Sequence, residues 1–173
     1  MIFIFTGSGK GKTTAALGQA LRAIGNGKRV LVVQFIKSRD WETGEVKAAE
    51  RLAPELKMVQ MGKGFVGIMG DTLPKEEHAR AANEAFLYAK KELGSGNWDA
   101  LVLDEINVAL DLGLISLKEV IEFIKNIPQE KDLILTGRGA PEELYKYADY
   151  ITEMTEIKHP FKKGIIGRRG SEW

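Results

Sequence analysis

The segment Thr6-Gly7-Ser8-Gly9-Lys10-Gly11-Lys12-Thr13-Thr14 gathers glycines, lysines and hydroxyls into one stretch, a mixture suited to gripping phosphate. Glycine lets successive backbone N–H groups turn toward one anion, because a Cβ would block both the positive-φ geometry and the close approach. Lys12 can reach phosphate oxygens and Thr13 can offer its hydroxyl to Mg²⁺. A helix beginning near Lys12 adds its positive dipole end. Gly11-Lys12-Thr13 fit the last places of G-x-x-x-x-G-K-[ST], whereas Thr6 stands where that pattern has its first glycine. Lys10 is a second cation beside Lys12. With Mg²⁺ and the loop amides, the pair matches the roughly four negative charges of a triphosphate. The chemistry is nucleotide binding.

A second group of candidates sits at Ala100-Leu101-Val102-Leu103-Asp104-Glu105. An acidic residue at the carboxyl end of a buried parallel strand lies at the edge where such sheets bind ligands, so Asp104 or Glu105 can hold Mg²⁺ opposite Thr13. Taken alone, the pair is an ordinary strand terminus; the phosphate loop upstream gives it a function. Arg138, in Thr136-Gly137-Arg138-Gly139-Ala140-Pro141, also follows a strand. Its guanidinium suits a phosphate clamp and a surface carboxylate equally well. The basic end from Lys158-His159-Pro160 onward has the composition of a solvated tail. His78 and His159 lack metal-ligand spacing, and His78 is expected on an exposed helix turn. Trp41 and Trp98 are expected in the core or at its rim.

Strand-like runs alternating with helical patterns must position these residues, which predicts an α/β fold around a parallel sheet. Strands are expected at 2–6, 29–35, 56–60, 99–104, 132–136 and 150–154. Helices are expected at 12–24, 45–52 and 74–93, after Ser116, and from Pro141 to about 148. Gly25-Asn26-Gly27 suits a left-handed cap, and Ser116-Leu117-Lys118-Glu119 has capping-box spacing. The glycine-rich stretch 61–72 is expected to be a loop, and loops of this length without structure of their own are usually functional or disordered.

At 173 residues the chain fits one domain, residues 1–173, with enough apolar content, 44%, for a sizeable core. A formal net charge of +1 gives no global pull toward nucleic acid or membrane. Cysteine is absent, which excludes disulfides, zinc-thiolate sites and a thiol nucleophile. No secretory signal is visible and no apolar run approaches the ~20 residues that span a bilayer. A cytoplasmic address is expected, with no nucleic-acid or membrane partner.

Several segments together resemble the P-loop type of ATP:corrinoid (cob(I)alamin) adenosyltransferase. They are Thr6 to Gly18, including the threonine that departs from the standard phosphate loop; Gln34-Phe35-Ile36-Lys37; Thr43-Gly44-Glu45; and Leu103-Asp104-Glu105-x-Asn107. Leu135 to Leu144, Ala148-Asp149, Thr152-Glu153-Met154 and Lys158-His159-Pro160-Phe161 complete the set, in order along nearly the whole chain.

The resemblance implies a RecA-like P-loop fold with helices on both faces of a mostly parallel sheet, usually as a homodimer. It implies transfer of the 5′-deoxyadenosyl group of ATP to the cobalt of a reduced corrinoid, with release of triphosphate. Thr6, Gly7, Ser8, Gly9, Lys10, Gly11, Lys12, Thr13 and Thr14 would cradle the triphosphate, with ATP reversed relative to ordinary hydrolases. Thr13 with Asp104 or Glu105 would organise Mg²⁺, and Lys12, Thr13, Glu105 and Arg138 would act at the reacting group. Phe65, His159 and Pro160 would border the nucleotide or corrinoid, placing the 158–173 tail near the site. A flavodoxin-like or other reductant would supply Co(I).

This sequence departs from the family at Ser8, at Ser38, and after Phe65, where a tryptophan is often found two places on. Without the resemblance, two other readings stay open. One is a P-loop phosphotransferase or NTPase, which would release ADP or phosphate. The other is a nucleotide-dependent binding module, against which near-neutral charge and the lack of a nucleic-acid motif count.

Overall fold

The computed structural model describes every residue except 39, 41–42, 69, 161–163, 165–166, 169 and 172–173. Six strands, β1 (Ile2–Thr6), β2 (Val30–Gln34), β3 (Leu56–Gln60), β4 (Ala100–Asp104), β5 (Asp132–Thr136) and β6 (Tyr150–Glu153), form one parallel sheet in the order β3-β2-β4-β5-β1-β6. The helices are α1 (Lys12–Ile24), α2 (Gly44–Arg51), α3 (Lys75–Gly94), α4 (Ile106–Asp111) and α5 (Leu117–Lys125), with a 3-10 helix at Glu142–Tyr147.

Alternation along the strands makes two cores, one on each face. Ile4, Leu31, Val33, Leu101, Leu103, Leu133 and Leu135 point to one side, where α3, α4 and α5 cover them with Phe86, Ile106 and Val120. Phe3, Val30, Val32, Val102 and Ile134 point to the other, under Ala16 and Ala20 of α1 and Ala49 of α2. Small residues on α1 let it lie close to the sheet, which brings its amino end against the strand edge.

Register then decides where the polar residues go. Gln34 aligns with Asp104, and Phe5 with Thr136, so the strands end together. Thr6, Gln34, Asp104 and Thr136 consequently form a buried polar row along the carboxyl edge. Among the described residues, no helix is long and apolar enough to cross a membrane.

Several local expectations need correction. Helix α4 was not foreseen; it starts directly from Glu105, whose φ of 65° is left-handed. The left-handed cap expected of Gly25-Asn26-Gly27 is present, by contrast, with Gly27 at φ 76° and the Gly27 and Lys28 N–H groups donating to the Ile24 and Ala23 carbonyls at 2.8 and 3.1 Å. Ser116 caps α5 by position without a side-chain cap hydrogen bond, so the capping box is not closed. Pro141 precedes its helix instead of opening it, and that helix is 3-10. His78 is buried at 3% exposure because it continues the apolar stripe Ala82, Ala85 and Ala89 of α3, a stripe with one polar member. Trp98 is buried, its indole N–H donating to Glu92 at 2.9 Å, as a rim residue should be. Trp41 lies outside the described residues.

Candidate functional site

The loop between β1 and α1 is shaped by what lies against it. Gly7 has φ 93° and Gly11 φ 126°. A Cβ on Gly7 would meet the Met154 carbonyl at 2.5 Å, and one on Gly9 at 2.8 Å, so no larger residue fits beside β6 as it leaves the sheet. The Gly9 N–H donates to the Met154 carbonyl at 2.6 Å. Lys12, buried, donates to the Gly7 and Gly9 carbonyls at 2.8 and 2.7 Å, which draws its ammonium into the curl of the loop. Burial pulls its pKa below the ordinary lysine value, Arg138 adds to this, and Glu105 and Asp104 oppose it.

Opposite Lys12 lies the polar row. Asp104 is fully buried and accepts hydrogen bonds from the Thr13 hydroxyl at 2.8 Å, the Thr136 hydroxyl at 2.7 Å and the Gln34 amide at 2.9 Å. Thr136 also accepts the Glu105 N–H at 3.0 Å, which fixes the left-handed turn where strand becomes helix. Burial, followed by the Asp104 charge, pushes the Glu105 carboxyl up to about 7, against the pull of Lys12, Lys37 and Arg138.

Lys37 completes the ring. Its ammonium meets Glu45 at 2.7 Å and stands 3.9 Å from Asp104. Burial would depress it, but Asp104 and then Glu45 outweigh burial and hold it above the usual lysine value. Glu45 is likewise held below the usual carboxylate range: burial works against this, and the Lys37 hydrogen bond and charge overcome it.

These side chains line a cleft of about 370 Å³, walled by Lys10, Gly11, Lys12, Thr13, Thr14, Leu17, Lys37, Gly44, Glu45, Glu105, Gly170 and Ser171. The structure thus gathers Lys10 to Thr14 and Glu105 around one space, with Asp104 beneath Thr13. Thr6, Gly7, Ser8 and Gly9 form the loop's approach without lining the cleft. Arg138 is exposed, yet its charge bears on both Lys12 and Glu105. Phe65 is 41% exposed, His159 half-buried and Pro160 exposed, and all three stand outside the cleft walls. Residues 161–163 of the tail lie outside the described residues, whereas Gly170 and Ser171 reach the cleft.

Lys37, Glu45, Gln34 and Thr136 were not singled out as site residues from the sequence alone. A signal for Lys37 was present: a cation just past the carboxyl end of a buried strand, the same rule that picks out Asp104.

The arrangement can bind a polyanion between cations and backbone amides while two carboxylates and a hydroxyl sit at one end. It fits a hard divalent cation. Thr13 and Asp104 are oxygen donors side by side, and the Gln34 Oε1 beside them is a buried acceptor with no protein partner. Among the described residues no group of three or more His, Cys, Asp or Glu gathers to hold a metal. Phosphate oxygens and water would have to supply the remaining ligands, as is usual for Mg²⁺.

Compared with known proteins, the chain matches the family described as ATP:corrinoid adenosyltransferase BtuR/CobO/CobP over residues 1–173. The chain belongs to the ATP:corrinoid adenosyltransferase family. A corrinoid adenosyltransferase of Escherichia coli (strain K12) is 36% identical over 173 residues, covering 100% of this chain and 85% of that protein. A corrinoid adenosyltransferase of Pseudomonas aeruginosa is also 36% identical over 173 residues, with 100% and 83% covered. Among solved structures, a KaiC-like protein from Pyrococcus horikoshii OT3 superposes with a TM-score of 0.50 at 16% identity, over 89% of this chain and 71% of that one. At that identity the likeness concerns the fold alone, and it agrees with the expected RecA-like P-loop architecture.

Proposed function

We infer that this adenosyltransferase moves the 5′-deoxyadenosyl group of ATP onto the Co(I) of a reduced corrinoid and releases triphosphate. The observation that carries the reading is the convergence of Lys10, Lys12, Lys37 and the Thr13–Asp104 pair on one cleft at the phosphate loop.

Cob(I)alamin is itself a strong nucleophile, so the protein need not supply one; position and electrostatics are its share. The cobalt electron pair forms the Co–C5′ bond as the C5′–O bond breaks, and the departing electrons remain on triphosphate. That leaving group gains charge at its α end, where fixed cations and amides stabilise it without reorganising. Lys12 exchanges the Gly7 and Gly9 carbonyls for phosphate oxygens. Lys10 and Lys37 flank the chain of phosphates, and Arg138 adds positive potential from the rim. Thr13, with Asp104 or Glu105, would hold Mg²⁺, which neutralises part of the polyphosphate charge when bound. Phe65, His159 and Pro160 border the corrinoid side, beyond the cleft. We further propose a cytoplasmic homodimer served by a separate reductant for Co(II).

The test is direct. Purified protein, Mg-ATP and chemically reduced cobalamin are combined without oxygen. A light-sensitive alkylcobalt spectrum with stoichiometric triphosphate is expected. ADP or phosphate release with unchanged corrinoid would replace the reading with a phosphotransferase.

A further inference from the structure

The glycine-rich loop after β3 is held at both ends by different means. At its start, the Met61 N–H donates to the Gln34 carbonyl at 3.0 Å, the Gly62 N–H to Lys37 at 3.1 Å and the Gly64 N–H to Ile36 at 2.9 Å. The loop therefore rises beside Lys37, at the edge of the cleft. Gly62 is required there, since a Cβ would fall 2.2 Å from the Ile36 carbonyl. Met61 and Val66 tuck against the core, while Phe65, Ile68 and Leu73 are 41%, 59% and 43% exposed.

At its far end the loop closes on a single side chain. Asp71 Oδ2 accepts the Gly67 N–H at 2.8 Å, and Oδ1 accepts the Leu73 N–H at 3.1 Å. Oδ2 also meets His78 Nε2 at 2.9 Å. His78 belongs to α3, and its side chain is 2% exposed against 8% for Asp71. A buried imidazole on an apolar stripe costs desolvation, and a hydrophobic residue would pack there more simply. Its location makes sense as a tether between a rigid helix and a loop that otherwise has little regular structure.

We propose that Asp71 and His78 are positioning residues for the corrinoid: their clasp fixes the loop that leaves the strand edge next to Lys37, so that its exposed Phe65 and Ile68 are held in one arrangement as an apolar wall. A flat macrocycle approaching the cleft meets a wall already in place, and the ordering of that segment is not charged against binding. The proposal rests on the adenosyltransferase reading for its ligand, but the clasp itself is independent of it.

Three full-length variants test it. Asp71→Asn turns an N–H toward the donors that Asp71 accepts. His78→Ala removes the anchor, and His78→Gln keeps a side-chain N–H in reach of Asp71. In Asp71→Asn and His78→Ala, hydrogen exchange at the Gly67 and Leu73 amides should accelerate, with α3 and the sheet unchanged. Corrinoid kcat/KM should fall roughly ten- to a hundredfold, the scale of losses from small misplacements. KM for ATP should stay within about twofold, because the phosphate site is untouched. His78→Gln should recover most of the corrinoid value. Equal losses toward both substrates, or unchanged kinetics with a lowered melting temperature, would reduce the clasp to general stabilisation and overturn the proposal. If even the unaltered protein forms no alkylcobalt product, the functional reading fails. Exchange at Gly67 and Leu73 then decides the clasp alone: faster exchange upholds it, and unchanged exchange removes it.

Discussion

Glu105→Gln should stabilise the protein, and only at higher pH. Glu105 is enclosed next to the Asp104 charge, and its carboxyl titrates at about 7, compared with 4.5 for a free glutamate. A carboxyl whose folded-state pKa lies above its unfolded value binds its proton more tightly when folded. Its contribution to stability is fully present below about pH 4.5 and is lost as pH rises through about 7. That gap, at 1.36 kcal/mol per pH unit, amounts to about 3 kcal/mol, an order of magnitude for what the ionised side chain costs the folded state. Glutamine resembles the protonated acid and pays no such cost. Thermal unfolding of both proteins without nucleotide should give equal melting temperatures near pH 4.5. By pH 8 the variant should melt roughly 6–12 °C higher, since about 1 kcal/mol moves a domain of this size by about 2–4 °C. The same variant should lose adenosyl transfer, having given up a carboxylate beside the phosphates. A melting difference that stays flat from pH 4.5 to 8, or that favours the wild type at pH 8, would refute the burial and charge reasoning.

Lys12→Ala should weaken ATP binding roughly ten- to a hundredfold by calorimetry, the value of a charged hydrogen bond to phosphate, and unchanged affinity would dismiss its role. Thr136→Val keeps the shape but removes the hydroxyl that bridges Asp104 and the Glu105 N–H. Urea unfolding should show a loss of about 1–3 kcal/mol for the buried groups left unpaired. Gly9→Ala pushes a methyl to within 2.8 Å of the Met154 carbonyl, and the same assay should show a loss of about 1–3 kcal/mol from overpacking. Glu45→Gln releases Lys37 from its 2.7 Å partner. Inorganic triphosphate should then bind more tightly in competition with ATP; weaker binding would mean that Glu45 orients Lys37 instead of competing for it.

Much of the fold was readable because buried parallel strands are nearly continuous apolar runs: Arg29–Phe35 and Asp99–Asp104 announce themselves, and the structure trims each by only a residue or two. Helix α4 was missed because it is one and a half turns long and begins on a left-handed Glu105 without a capping side chain. Ile106, Ala109 and Leu110 carried its periodicity, too briefly to separate from the end of a strand. His78 was misplaced for a different reason. Its neighbours Glu76, Glu77 and Arg80 look solvated, but the spacing to Ala82 and Ala85 puts His78 on the covered face. In the site, Lys12, Thr13 and Asp104 followed from residue type and location. The link between Lys37 and Glu45 did not, since it joins a residue just past β2 to one in α2, and only three-dimensional geometry closes it.

Sheet order has a consequence for how the protein is made. β1 lies between β5 and β6, and the first contacts across those gaps join residues 130 and 147 positions apart. During synthesis β2, β3 and β4 can associate while β1 waits for neighbours not yet translated. The loop between β1 and α1 therefore gains its Gly9–Met154 hydrogen bond only after β6 has been made, and on the proposed reading the nucleotide cleft is completed later still, with Gly170 and Ser171. A chain halted before that point would carry the whole signature segment and still lack a formed phosphate cradle.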